Sequence, residues 1–182
     1  MTLEVRALTP EEWPALVELF GEQGARSGCW CMYFRIGSAY RRRSSAVNKA
    51  AFHEVVRQGP PPGLLAFDGD RAVGWCQVTP RSLLPWLDHT WRLKPVDDMP
   101  VWSISCFYIR IGYRRRGVTG ALIQAALDLA RQAGAPALEA YPLDGRLSPS
   151  ATSTGYATTF ARAGFQEVAR RSPERPIMRY VF

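Results

Sequence analysis

Seven consecutive residues, Arg114-Arg115-Arg116-Gly117-Val118-Thr119-Gly120, combine types and spacing that can do chemistry. They follow a strongly apolar run, residues 101–111, and open an amphipathic stretch that continues to about Ala133. A strand, a turn of arginine and glycine, and a helix start together suit a pyrophosphate group. Glycine lets the backbone approach an anion closely. The first amides of the helix lack internal partners and carry the positive end of the helix dipole. The arginines add charge, and in that position they oppose the dipole, which a helix without a ligand would disfavour. A basic, solvated helix start remains the alternative. Two other phosphate loops do not fit. A Walker loop needs Lys-Ser or Lys-Thr after its second glycine, and a dinucleotide fingerprint needs three spaced glycines, whereas only Gly117 and Gly120 are present.

A second chemical candidate is Cys29-Trp30-Cys31. A Cys-x-Cys pair starts a zinc site only where further ligands stand at recognisable spacing. His53 and His89 are the two histidines, each isolated, so no metal is expected. Cys76 and Cys106 lie in strand-like runs and read as small core residues.

The chain of 182 residues suffices for one domain, expected over 1–182, and its 47% hydrophobic content indicates a folded protein. A net charge of +7 favours anionic ligands. It also permits nucleic-acid binding, but the basic residues fall into separate clusters (41–43, 114–116, and 170, 171, 175 and 179) without a recognisable nucleic-acid motif. No apolar run approaches the about 18 residues of a membrane span. The first residues lack the pattern of a signal peptide, so the expected location is the cytoplasm, with thiols reduced.

The elements that must position these residues are read from periodicity and punctuation. Residues 3–8 alternate as a strand. Thr9-Pro10-Glu11-Glu12 reads as a helix start with a capping box between Thr9 and Glu12. Residues 24–44 read as a loop. A helix is predicted over 45–58, with Val47, Ala51, Val55 and Phe52 inward, stopped by Pro60-Pro61-Pro62-Gly63. Asp68-Gly69-Asp70 joins two strands as a hairpin. Residues 80–100 show no period. Residues 101–109 form a buried strand, with Trp102, Ile104, Cys106 and Tyr108 on one side and Ser103, Ser105, Phe107 and Ile109 on the other. A helix to about residue 133, a strand at 137–141, a short helix over about 154–163 and a closing antiparallel pair complete the order β-α-α-β-β-β-α-β-α-β-β. The fold class is α/β (α+β) with a mixed sheet.

Tyr113 and the run Arg114-Arg115-Arg116-Gly117-Val118-Thr119 resemble the signature Gln/Arg-x-x-Gly-x-Gly/Ala of the GCN5-related N-acetyltransferase (GNAT) superfamily, with Thr119 where that family places glycine or alanine. The element order is also similar. The resemblance implies a mostly antiparallel sheet of six to seven strands flanked by about four helices. It implies acetyl-CoA as acyl donor and an amine, of a small molecule or a protein, as acceptor. Amides of 115–120 would hold the pyrophosphate, with Arg114, Arg115, Arg116, Gly117, Val118, Thr119 and Gly120 contributing. Phe107, Tyr108 and Ile109 would hold the pantetheine arm beside a splay near Ala140 and Tyr141, and Phe160 would lie at the same site. Many relatives dimerise.

The resemblance also exposes a gap. The family's usual general acid is a tyrosine four residues before a Gly-Phe pair; here the pair is Gly164-Phe165 and the position holds Phe160. Tyr156, one helical turn earlier, is the substitute candidate, against a purely packing role. Asp97, Asp98 and Glu139 read as exposed charges rather than bases. Trp30, Tyr33, Phe34 and Trp86 read as walls for an apolar or aromatic acceptor, or equally as a satellite core. A non-catalytic acyl-CoA-binding module is the alternative function.

Overall fold

The computed structural model describes residues 2–145 and 153–182. Within them a seven-stranded sheet runs in the order β1-β2-β3-β4-β5-β7-β6. The strands are β1 (Leu3–Ala7), β2 (Gly63–Asp68), β3 (Arg71–Pro80), β4 (Trp102–Ile109), β5 (Ala137–Ala140), β6 (Gln166–Ser172) and β7 (Arg175–Val181). β4 and β5 pair in parallel and every other neighbouring pair is antiparallel. The expected mixed, mostly antiparallel sheet is therefore present.

Six α-helical segments accompany it among the described residues: α1 (Trp13–Phe20), α2 (Tyr33–Ile36), α3 (Ser45–Gln58), α4 (Trp86–His89), α5 (Val118–Gln132) and α6 (Ala157–Arg162). The two beyond the expected four, α2 and α4, are single turns inside stretches without a sequence period. α5 covers one face of the sheet. Its Val118, Leu122, Ile123, Ala126, Leu127 and Ala130 recur at helical spacing and pack with Val73, Val78, Ile104 and Phe107. α1 and α3 cover the other face through Leu16, Leu19, Phe20, Phe52 and Val56 against Leu65, Phe67 and Trp75. Removing one such side chain, Leu122→Ala for example, leaves a cavity worth about 2–5 kcal/mol.

Two local expectations are corrected. The chain after β1 enters helix through a 3-10 turn, Pro10–Glu12, and Thr9 caps neither it nor α1, so the capping box does not form. In α3, Val47 is exposed, whereas Phe52 is buried and Ala51 and Val55 pack half-buried on the core as expected; Asn48 and Val56, four residues either side of Phe52, complete the buried stripe. Ser44 is the N-cap of that helix, its hydroxyl accepting from the Val47 amide at 3.3 Å. Asn48 is buried because its amide donates to the Gly28 and Tyr40 carbonyls, tying α3 to the segment before it.

The segment 80–100 is an ordered excursion. Leu84, Leu87 and Leu93 pack with Tyr141, Ile177 and Phe34 to form a third core cluster.

Candidate functional site

The centre of the sheet is opened by an irregularity in β4. Gln77 pairs with Cys106 and Val78 with Ile104, so Ser105 is the extra residue of a β-bulge. Its hydroxyl donates to Gln77 Oε1 at 2.8 Å, and Gln77 Nε2 donates to the Cys31 carbonyl at 3.2 Å. The bulge overturns the alternation read from the sequence. Trp102 and Ile104 face α5, and beyond the bulge Phe107 and Ile109 face α5 as well, while Cys106 and Tyr108 face α1 and α3. β5 accompanies β4 only at Trp102, Ser103 and Ile104. Past Ile104 the strands part, and among the described residues the β5-side edge of β4 has no strand partner, a row of backbone donors and acceptors open to a ligand.

β4 leads into the arginine–glycine turn. Gly112, Arg115 and Gly117 all adopt left-handed φ, at 92°, 62° and 83°. The first helical bond of α5 is from the Ala121 amide to the Gly117 carbonyl; no amide of 114–120 donates to another backbone group among the described residues. Arg114, Arg115, Arg116 and Gly117 are exposed. A Cβ placed on Gly117 would meet no atom within 4 Å, so the space before the helix start is open. Gly74 on β3 holds this helix end in place: a Cβ there would lie 2.5 Å from Val118 Cγ1, so only glycine lets α5 sit this close to the sheet. The open strand edge and the helix start with free amides are thus adjacent in the chain and fixed by the same packing.

Tyr156 is not within α6. It is the N-cap residue, in extended conformation, bridged to Leu143 and 43% exposed. Phe160 is fully buried, its ring centroid 6.1 Å from that of Phe107 and 5.1 Å from that of Phe165. It therefore backs the β4 residue that follows the bulge. Gly155, at φ 79°, passes close to both rings.

A buried polar network lies at the β4–β5 junction. Tyr141 Oη accepts from Arg81 Nη1 at 2.8 Å, sits 2.7 Å from Ser103 Oγ and donates to Glu139 Oε2 at 3.1 Å. Burial, and then the Glu139 charge, push the Tyr141 phenol far above its ordinary range, which keeps it protonated. Glu139, read from sequence as an exposed charge, is 1% exposed because Arg179 pairs with it at 2.6 Å. Arg179 also pairs with Asp97 at 2.7 Å, and the guanidinium holds the Asp97 carboxyl below the usual range. Asp97 and Asp98 are exposed, as read. Through Arg81, which also binds Asp88 and the Leu93 carbonyl, the network ties the excursion to β4, β5 and β7. Sequence reasoning missed it; the signal was a single acid inside the otherwise apolar strand of residues 137–140.

The four acceptor-side aromatics separate. Tyr33 and Phe34 line a cavity of about 170 Å³ together with Arg92, Thr154 and Arg175. Trp86 lies against Gly37, where a Cβ would collide with its indole, and stacks on His89. Trp30 is 2% exposed and sits in the core, its indole donating to Ser45 Oγ at 2.9 Å, between Trp13 and Phe20. Trp30 and Cys31 are consecutive non-glycine residues at φ 43° and 55°, strain of about 1–3 kcal/mol each that the surrounding bonds must hold. One of these bonds runs from Trp75 Nε1 to Cys31 Sγ at 3.1 Å. The neighbouring Cys106 pushes the Cys31 thiol up, and Cys31 pulls the Cys106 thiol down. Burial raises Cys29 and Cys76. Among the described residues no group of three or more His, Cys, Asp or Glu is placed to hold a metal, and no helix is long and apolar enough to cross a membrane.

The sequence profile described as Acetyltransferase (GNAT) family matches residues 15–145, from α1 through the arginine–glycine turn and β5. The chain belongs to the GNAT acetyltransferase family. Solved structures share its fold at low identity. PaiA N-acetyltransferase from Thermoplasma acidophilum, in complex with coenzyme A, is 16% identical with a TM-score of 0.57, over 100% of both chains. An N-acetyltransferase from Staphylococcus aureus Mu50 is 12% identical with a TM-score of 0.60, over 100% of this chain and 99% of that one. The GNAT domain of S. lividans PAT is 18% identical with a TM-score of 0.60, over 100% and 92%. No protein of curated function matches the sequence. In this GNAT chain the amides of 114–120 have no backbone acceptor among the described residues, and Phe160 is buried.

Proposed function

We propose that this protein transfers the acetyl group of acetyl-CoA to a primary amine without a metal. The observation that carries the reading is the open edge of β4 past the Ser105 bulge, leading directly into the unpaired amides of 114–120. Those amides and Arg114–Arg116 would take the pyrophosphate. Backbone groups of Phe107, Tyr108 and Ile109 would hold the pantetheine arm and place the thioester at the splay between β4 and β5. Orientation supplies much of the rate in such a transfer, because the thioester is already reactive. As the C–N bond forms and the C–S bond breaks, the amine nitrogen loses a proton, which water would take; the chain must further offer an N–H to the developing oxyanion, which an unpaired β4 amide can do, and a proton to the departing thiolate. Phe160 has none to give. Tyr156, exposed and at the N-cap of α6, is the phenol proposed for that role; Tyr141 is committed to Arg81, Ser103 and Glu139.

A second reading, a non-catalytic acyl-CoA-binding module on the same fold, is favoured by the burial of Phe160 in the acid position. Thiol release from acetyl-CoA in the presence of an amine panel separates the two. Amine-dependent release supports transfer; acetyl-CoA binding by calorimetry with no release beyond the blank supports the module.

A further inference from the structure

Among the described residues one guanidinium has a buried edge without an acceptor. Arg35, on α2, donates through Nη1 to the Leu83 carbonyl at 3.3 Å. Its Nε and Nη2 are buried and have no partner, and among the described residues the one other buried side-chain polar atom in that state is Asn48 Oδ1. No carboxylate among the described residues pairs with Arg35. Nε–H and Nη2–H project side by side from one edge of the guanidinium, the fork that receives the two oxygens of a carboxylate. Two charged donors buried without acceptors are costly, and such groups call for a partner that completes them. Packing alone gives no reason for arginine here, since an unbranched apolar side chain would fill the same space without that penalty. Burial accordingly pulls the Arg35 pKa down, though arginine stays protonated at neutral pH.

Position in the fold says which oxyanion fits. Arg35 sits on the helical turn that directly follows Cys31, and Cys31 rests on Trp75 and Gln77 of β3. Gln77 pairs with Cys106 at the bulge, on the sheet face opposite α5. The free amides at the start of α5 belong to the other side, so Arg35 does not serve the pyrophosphate. Its neighbours Tyr33 and Phe34 line a cavity with Arg92, which pairs there with Glu174, and Arg175, which donates to Thr154. Leu83, whose carbonyl anchors Nη1, is exposed, so the fork lies just beneath the surface of the excursion.

We propose that the Nε–Nη2 edge of Arg35 binds the carboxylate of the acceptor, which makes the substrate class an amino acid or another amine bearing a carboxylate; this rests on the transferase reading above. Opening the seam between α2 and Leu83 admits the carboxylate, and the fork then fixes the direction of the amine.

The test compares kcat/KM for alanine, phenylalanine, methionine, glutamate, β-alanine and 4-aminobutyrate, each beside its carboxamide, in wild type, Arg35→Met and Arg35→Lys. Calorimetry with acetyl-CoA checks that each variant is folded and loaded. Wild type should prefer at least one carboxylate over its amide by roughly 100-fold, Arg35→Met should bring that pair within about threefold, and Arg35→Lys should fall between, as for truncating one partner of a desolvated charged pair. Equal turnover of acids and amides by wild type overturns the inference and leaves the transferase reading standing. So does a preference that survives in Arg35→Met. No thiol release with either series by wild type that binds acetyl-CoA overturns both.

Discussion

Replacing Gly117 by aspartate should separate folding from ligand binding. The site tolerates the new atoms, since a Cβ there meets nothing within 4 Å. The φ of 83° is unfavourable for a side chain, by about 1–2 kcal/mol, although aspartate accepts it better than most residues. A carboxylate beside the first turn of α5 returns about 0.3–1 kcal/mol through the helix dipole. The net change in stability is therefore small. The effect on a diphosphate is not. A carboxylate about 5 Å from one phosphate charge, at an effective dielectric of about 20, repels it by about 3 kcal/mol. Two phosphate charges double that, and Arg114–Arg116 with solvent screening take back a comparable part, leaving a loss of about 100-fold in affinity. The carboxylate also competes for the amides of 118–120. Titration calorimetry with acetyl-CoA measures the loss, and a thermal melt shows whether the fold survives. Gly117→Ala, which adds strain without charge, should lose far less affinity. Unchanged acetyl-CoA affinity in Gly117→Asp would refute the assignment of the turn as the pyrophosphate site.

Three further outcomes are expected. Tyr156→Phe should lower kcat by about 10²–10⁴-fold with acetyl-CoA affinity retained, because the residue is exposed and caps α6 through its backbone; a loss under about threefold would leave Tyr156 with no role in proton transfer. Trp30→Ala should lower unfolding free energy by about 3–5 kcal/mol in urea titration, the effect of emptying a core indole site, and a purely kinetic effect on the acceptor would contradict its placement. The Asp97 carboxyl titrates lower in the folded protein than in the unfolded chain, so its pairing with Arg179 stabilises at neutral pH and is lost as pH falls from about 4 through that lowered value. Asp97→Asn should flatten this part of the pH dependence of the urea midpoint, and an unchanged acid profile would show that the pair does not couple to folding.

The parts of the fold that were legible in the sequence are those set by neighbours in the chain. α3 and α5 follow from apolar spacing and glycine stops, and the β2–β3 hairpin from Asp68-Gly69-Asp70, because each depends on a few consecutive residues. The turn at 114–120 was legible for the same reason. The bulge was not, since one extra residue at Ser105 shifts every later side chain to the other face without changing composition. The Glu139–Arg179 pair joins residues 40 apart, and the sequence offered only an acid in a short apolar strand. Trp30 belongs to the same class: its aromatic neighbours in sequence suggested a ligand wall, while contacts with Trp13, Phe20 and Ser45 put it in the core. The Arg35 fork becomes visible only once every buried donor is matched to an acceptor.

The central claim is movement of an acetyl group from a thioester to an amine on this chain. Acetyl-CoA labelled at the acetyl carbonyl, incubated with the protein and the amine panel and followed by NMR, tests it directly. The account predicts an amine-dependent shift of the label from thioester to amide, with one free thiol formed per amide, and at sub-saturating acetyl-CoA a shift about 100-fold slower in Gly117→Asp. A label that stays on the thioester, or that passes to acetate at the same rate with and without amine, would contradict it.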